Sequence, residues 1–141
     1  MAISEQHAGR TYPPTAPYEV SAAKISEFAT AIGDDNRAYT GAEAIAPPTF
    51  VAVISSAAWQ AMFDDPELEL ALRRIVHGDQ RFTYVRPLQV GDRVTAALTI
   101  DKVRPRGSAD IISSSVEVVD ERGEVVCVAS STFFHSRESS A

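Results

Sequence analysis

The run Pro47-Pro48-Thr49-Phe50-Val51-Ala52-Val53-Ile54-Ser55-Ser56-Ala57-Ala58-Trp59-Gln60-Ala61-Met62-Phe63-Asp64-Asp65-Pro66 decides how the rest of the chain must fold. No charged residue occurs between Phe50 and Phe63. A helix through this run is apolar on nearly every side, and a helix apolar all round is wrapped by other structure rather than laid on a surface. The two prolines stop it from extending backwards, Thr49 is expected to cap its first turn, and Asp64-Asp65-Pro66 closes it.

The remainder supplies the wrapping. From Ile75 the hydrophobic period changes to two: Phe82, Tyr84 and Arg86 alternate with Arg81, Thr83 and Val85 up to Pro87, and Gly91-Asp92 marks a turn. Further strands are predicted over Val94 to Val103, Ile111 to Val119 and Glu124 to Phe134. They are separated by Arg106-Gly107-Ser108 and by a hairpin loop at Asp120-Glu121-Arg122-Gly123. Upstream, Ser21 is a plausible N-cap for a helix running to about Ile32, with Ile25, Phe28, Ala29 and Ile32 as its buried stripe and Gly33 as its stop. Residues Met1 to Pro17 are polar and then proline-rich, which favours extended backbone. The tail Ser136 to Ala141 is expected to be disordered. The order is helix, long apolar helix, then about four antiparallel strands. This predicts one α+β domain over 1–141, an antiparallel sheet curled around a central helix, for which the single hotdog fold is the best-known solution. Such a sheet leaves strand edges open, and edge-to-edge dimers are the common outcome.

Bulk composition narrows the function. The chain has 141 residues, 45% of them hydrophobic, enough for one core. Its net charge of -6 argues against nucleic acid as a partner. Arg73-Arg74 and Arg104-Pro105-Arg106 are two local basic spots, read as solvated surface. The single cysteine, Cys127, lies in the apolar run Val125 to Val128 and reads as a buried strand residue. Histidines and carboxylates lack metal-ligand spacing and no glycine-rich phosphate loop occurs, so neither metal nor other cofactor is expected. His7 and His135, near the termini, are expected at the surface. With no apolar stretch long enough to cross a bilayer and no signal-like segment, a cytoplasmic location is the expectation.

Chemistry, if present, centres on the loop Gly33-Asp34-Asp35-Asn36-Arg37-Ala38-Tyr39. This loop resembles the hydratase motif of the MaoC-like (R)-specific hydratase/dehydratase hotdog family, in which an aspartate is followed by an asparagine two residues on and a histidine five residues on. The resemblance sets Asp34 at the aspartate, Asn36 at the asparagine and Tyr39 at the histidine. Adding or removing water at a 3-hydroxyacyl thioester needs a group that takes the α-proton and one that handles the water. Tyrosine, with a reference pKa of about 10, is a poor base at neutral pH. The family's oxyanion-hole glycine falls at Pro48, which has no N–H to offer. Two parts of the machinery are therefore missing from the chain. His77, beside Gly78-Asp79, is a candidate replacement base, with a structural histidine as the alternative. Asp34, Asp35 and Asn36 are equally compatible with an ordinary polar loop.

The segments Tyr12-Pro13-Pro14, Ala46-Pro47-Pro48-Thr49-Phe50 and His77-Gly78-Asp79-Gln80-Arg81-Phe82-Thr83-Tyr84-Val85-Arg86-Pro87 are similar to one branch of that family, the non-catalytic subunits of heterodimeric (3R)-hydroxyacyl-thioester dehydratases. The similarity runs from about Gly9 to Phe134, with a shorter loop between Tyr39 and Ile45. It implies a catalytic MaoC-like hotdog partner, or a homodimer in its absence, and a role in fatty acid metabolism. The implied ligand is an acyl thioester of coenzyme A or acyl carrier protein. Pro48, Thr49, Phe50, Trp59 and Phe63 are candidate substrate-binding residues, although core packing is the commoner fate of such side chains. A self-sufficient homodimeric hydratase or thioesterase, using Asp34 or Asp35, and a non-enzymatic acyl-thioester binding module are the competing readings.

Overall fold

Ser21 accepts a hydrogen bond from the Lys24 amide (3.2 Å) and so starts α1 (Ala22–Ala31), as its sequence position predicts. The structure is a computed structural model and describes residues 2–137. Gly33, with φ +71°, lies just beyond the helix in the left-handed conformation that a glycine reaches most easily. Ile25 and Ala29 are buried and Phe28 is half-buried, but Ile32 is 48% exposed. It falls on the C-cap, past the last helical turn.

The apolar run forms α2 (Val51–Phe63). Its start differs from the expectation in one respect: Thr49 does not cap it. The Phe50 amide donates to the Pro47 carbonyl (2.9 Å) and the Ala52 amide to the Thr49 carbonyl (3.1 Å), so tight backbone turns serve the first donors. Val51, Ile54, Ser55, Ala58 and Met62 are buried. The opposite side is open: Val53 is 43% exposed, and Ser56, Ala57 and Gln60 are exposed with it. One sheet covers one side of a helix, so this chain does not wrap α2 completely.

Five antiparallel strands form the sheet: β1 (Tyr18–Glu19), β2 (Ile75–Tyr84), β3 (Arg93–Arg106), β4 (Ala109–Val119) and β5 (Val125–Ser136), in the order β1-β3-β4-β5-β2. The short β1, ahead of the expected four, pairs Tyr18 with Val94 and Glu19 with Arg93. α2 packs on β3, β4 and β5, where alternate residues such as Leu98, Ile112, Val116 and Phe133 close the core. This is the hotdog arrangement expected from the order of elements. Among the described residues β2 is an edge, paired on one side only, by β5.

The N-terminal segment contains a short 3-10 helix (Glu5–His7) before its extended part, which runs beside β3 through the Tyr12 amide to the Leu98 carbonyl (3.0 Å). Its side chains also hold the turn after α2. Tyr12 donates its hydroxyl to Asp65 (2.6 Å), and Arg10 reaches Asp65 (2.8 Å) and Glu67 (2.6 Å). The Tyr12 hydrogen bond, then Arg10, keeps the Asp65 carboxyl below the ordinary carboxylate range.

Both terminal histidines are buried, contrary to expectation. His7 Nδ1 accepts from the Ser4 amide in a capping box (3.0 Å), and His135 Nε2 accepts from the Ala71 amide (3.1 Å). Order also persists beyond the point where the tail was expected to begin. Ser136 closes β5, and Arg137 donates to Asp110 and to the carbonyls of Gly107 and Ala109. The rest of the expected tail, 138–141, lies outside the described residues.

Candidate functional site

α1 delivers the chain into the loop 33–40, and a 3-10 turn (Arg37–Tyr39) brings Tyr39 back into the core. Asp34 and Asn36 hold that turn together. Asp34 Oδ1 accepts from the Asn36 amide (3.1 Å), and Asn36 Oδ1 accepts from the Ala38 amide (2.9 Å), capping the turn. Both residues are otherwise exposed. These are the local backbone bonds that aspartate and asparagine make in turns, and they orient the loop whatever else it does.

Tyr39 lies between two cavities. One, about 420 Å³, is formed by the loop and α1 and is lined by Asp34, Asp35, Asn36, Tyr39 and Thr40 together with Thr30. The other, about 330 Å³, is mainly apolar and is lined by Tyr39, Ile45, Ala46, Pro48, Tyr84 and Val85, with Arg86 and Pro87 at its rim. Of the named candidates, Asp34, Asn36, Tyr39 and Pro48 thus gather in one region, with Tyr39 as the shared wall. The Tyr84 hydroxyl donates to the Pro48 carbonyl. Burial pushes the Tyr84 phenol well above its ordinary value, so it is a hydrogen-bond donor and not a base near neutral pH. At the start of α2, then, this position offers a carbonyl already engaged by a phenol and, being proline, no N–H.

The other candidates separate from that region. His77 borders neither cavity; its ring stands edge-on to Trp59 (centroids 5.0 Å) and tilted over Phe133 (5.2 Å). Trp59 and Phe63 join the same aromatic cluster and are half-buried. Phe50 borders neither of these cavities; it is almost completely buried against Phe28 (5.4 Å) and Tyr18 (6.4 Å). Thr49 is exposed beside the cavity without lining it. Cys127 is fully buried, with its thiol pushed up to about 11, chiefly by desolvation. Among the described residues no cluster of three or more His, Cys, Asp or Glu could hold a metal, and no helix is long and apolar enough to cross a membrane.

The comparisons with known proteins bear on this arrangement. The model of the "FAS1-like, dehydratase domain region" family matches residues 6–129, nearly the whole fold. The chain belongs to that family. A UPF0336 protein of Cutibacterium acnes is 53% identical over 97% of this chain and 96% of its own length. Among solved structures, the C-terminally truncated HadBC (3R-hydroxyacyl-ACP dehydratase) complex of Mycobacterium tuberculosis contains a chain with a TM-score of 0.80. That chain is 26% identical, and the match covers 91% of this chain and 96% of the other. A MaoC-like dehydratase superposes with a TM-score of 0.85 at 22% identity, over 94% of this chain and 43% of that one. The fold of this dehydratase-region protein is therefore the MaoC-like hotdog, and it resembles a subunit of a dehydratase complex.

Two residues that shape the region, and a glycine at the other end of β2, carry signals that had no assigned meaning in the sequence. Tyr84 and Arg86 fall in the His77–Pro87 segment. Tyr84 fixes the start of α2, and Arg86 pairs with Asp92 (2.8 Å) and Asp120 (3.4 Å), tying the end of β2 to two loops. Gly78 sits at the irregularity between His77 and Asp79, directly beneath the ring of Phe134. A Cβ there would run into the ring, so the glycine allows a close approach.

Proposed function

We propose that this chain is one subunit of a (3R)-hydroxyacyl-thioester dehydratase, acting in reverse as an enoyl-thioester hydratase, in which a partner hotdog supplies the acid–base pair. The observation that carries the proposal is the wall at Tyr39. Where the resemblance calls for a base there is a buried phenol, and where it calls for an oxyanion N–H there is Pro48. Asp34 remains, but the histidine and the backbone N–H that would complete the machinery are absent from these positions. In such a reaction one group removes the C2 proton while a proton is delivered to the departing C3 hydroxyl, so that water leaves and the double bond forms. His and Asp of the partner are suited to that exchange, and Tyr39 and Tyr84 are suited to lining it.

Two exposed features favour a partner. The edge of β2 has free backbone donors and acceptors, and the uncovered side of α2 presents Val53 and Ala57. A second hotdog joined along β2 would cover both and enclose the half-buried Phe82, Trp59 and Phe63 in an apolar track for an acyl chain. The acyl group would come as a thioester of coenzyme A or acyl carrier protein. HadBC, a complex by its name and a hydroxyacyl-ACP dehydratase, is a precedent among the comparisons above.

The test is hydration of crotonyl-CoA and of a long-chain trans-2-enoyl-CoA by the purified chain, alone and with a catalytic hotdog carrying an intact Asp-x-Asn-x-x-His motif. Turnover is expected only with the partner and is expected to depend on chain length. Comparable turnover by the chain alone would contradict the proposal and make Asp34 and His77 the residues to mutate.

A further inference from the structure

The two basic spots, some thirty residues apart in the sequence, stand at the same end of the sheet on opposite borders. Across the outer face of the sheet, the side away from α2, Arg104 pairs with Ile111, Ile111 with Phe134, and Phe134 with Val76. That row crosses four strands, roughly 14 Å at ~4.8 Å per step. Lys102 and Arg106 flank Arg104 on the same face, opposite Ser113 and Ala109. Leu72 and Arg73 lie immediately before β2 at this end. Lys102, Arg104, Arg106 and Arg73 are all exposed, and no described residue forms an ion pair with them. Beside them Val76 is 64%, Leu72 60% and Phe134 40% exposed. A protein of net charge -6 thus places four exposed cations at the same end of the sheet as three of its exposed apolar side chains. The nearest acids on this face, Asp79 and Asp101, stand further towards the middle of the sheet, and Asp101 is engaged by Ser115 (3.0 Å).

We infer that this end of the outer face docks an acidic helix of a partner protein. The width suits one helix, whose diameter is about 10–12 Å, and the rigid apolar row with basic residues along one border fits an amphipathic acidic helix. An anionic membrane or nucleic acid shares only the charge of such a helix and is an outcome of the test below. Resting on the acyl-thioester reading, the partner is the small acidic carrier protein that delivers the acyl group. Geometry gives this a purpose. If two hotdogs join along antiparallel β2 edges, the Ile75 end of one strand lies beside the Tyr84 end of the other. The basic end of this chain then stands next to the catalytic loop of its partner, so the subunit without the base would hold the carrier where the base can reach its cargo.

The experiment uses this chain in complex with a catalytic hotdog. An apo acyl carrier protein is titrated into it at low salt by calorimetry, and turnover of enoyl-CoA is followed in parallel. The double reversal Arg104→Glu with Arg106→Glu is expected to weaken carrier binding by about tenfold or more and Val76→Ser by a few-fold, with added salt acting in the same direction and CoA turnover within about twofold of wild type. Carrier binding indifferent to Arg104→Glu/Arg106→Glu while CoA turnover is normal would overturn the docking inference alone. So would an absence of carrier binding, or binding through the same arginines of anionic vesicles or DNA in its place. Carrier binding that does respond to the arginines, with no CoA turnover, would sink the dehydratase reading and leave the docking surface standing.

Discussion

At the Tyr84 end of β2 the inner face opens on an apolar cavity bounded by Tyr39 and Pro48, whereas at the Ile75 end the inner face is plugged by Trp59, Phe63, His77 and Phe133 and the outer face carries exposed cations. One end has the enclosure of a site without a base; the other has charge and exposed apolar surface without a cavity. On the proposed reading, the two ends divide the work: one is a shaped wall without the motif histidine, the other a docking face. Either is useful only beside a second subunit. β2 is irregular at one end, where Gly78 passes under Phe134, and regular at the other.

The plugged end is the more easily broken. Phe133→Ala removes the ring shared by Trp59, Phe63 and His77 and is expected to cost about 3–5 kcal/mol, measured by urea unfolding. A smaller effect is expected of Gly78→Ala, which forces the Phe134 ring off the strand, at about 1–3 kcal/mol. The loss should shrink when Phe134→Ser is added, because the clash then has no ring to meet. At the cavity end, Tyr84→Phe deletes the bond to the Pro48 carbonyl at about 0.5–1.5 kcal/mol. If it cost as much as Phe133→Ala, the two ends would not differ as described.

The smallest effect is a pH dependence at the Ile75 end. Burial first, and Arg74 second, lower the pKa of His135 from its ordinary value, against the opposing pull of Asp110. A group whose folded pKa is depressed adds stability above its unfolded pKa, about 6.5 for histidine. That stability is lost as pH falls from there through the folded value. Once protonated, Nε2 can no longer accept from Ala71, and the segment before β2 loses its tie. Unfolding midpoints taken between pH 8 and 5 should therefore fall, and His135→Gln should flatten that slope. A slope unchanged in His135→Gln would place the titrating group elsewhere.

The central helix and the strand series were legible because hydrophobic period is a local property, and Phe50 to Phe63 carries it without interruption. The open side of α2 was not legible, since period alone cannot say whether the cover comes from the same chain or another. His7 and His135 were misplaced for a related reason. Nearness to a terminus says little about burial when a backbone amide from elsewhere in the fold, Ala71 in the case of His135, completes the hydrogen bond. The motif positions Asp34, Asn36 and Tyr39 could be read as a group because the spacing is short. Their assembly with Pro48 and Tyr84 depends on the crossing of α2 and β2, which no sequence window contains. Arg73 and Arg104 looked like unrelated surface charges for the same reason.

The most direct measurement compares two single mutants of the reconstituted heterodimer, one in each subunit. Replacing the motif histidine of the catalytic partner should abolish enoyl-CoA hydration, while Asp34→Asn in this chain should leave kcat within about twofold, because the bond Asp34 makes is to its own turn. A fall in kcat of a hundredfold or more on Asp34→Asn, with the fold intact, would contradict a shaping role and make this chain a catalytic subunit in its own right.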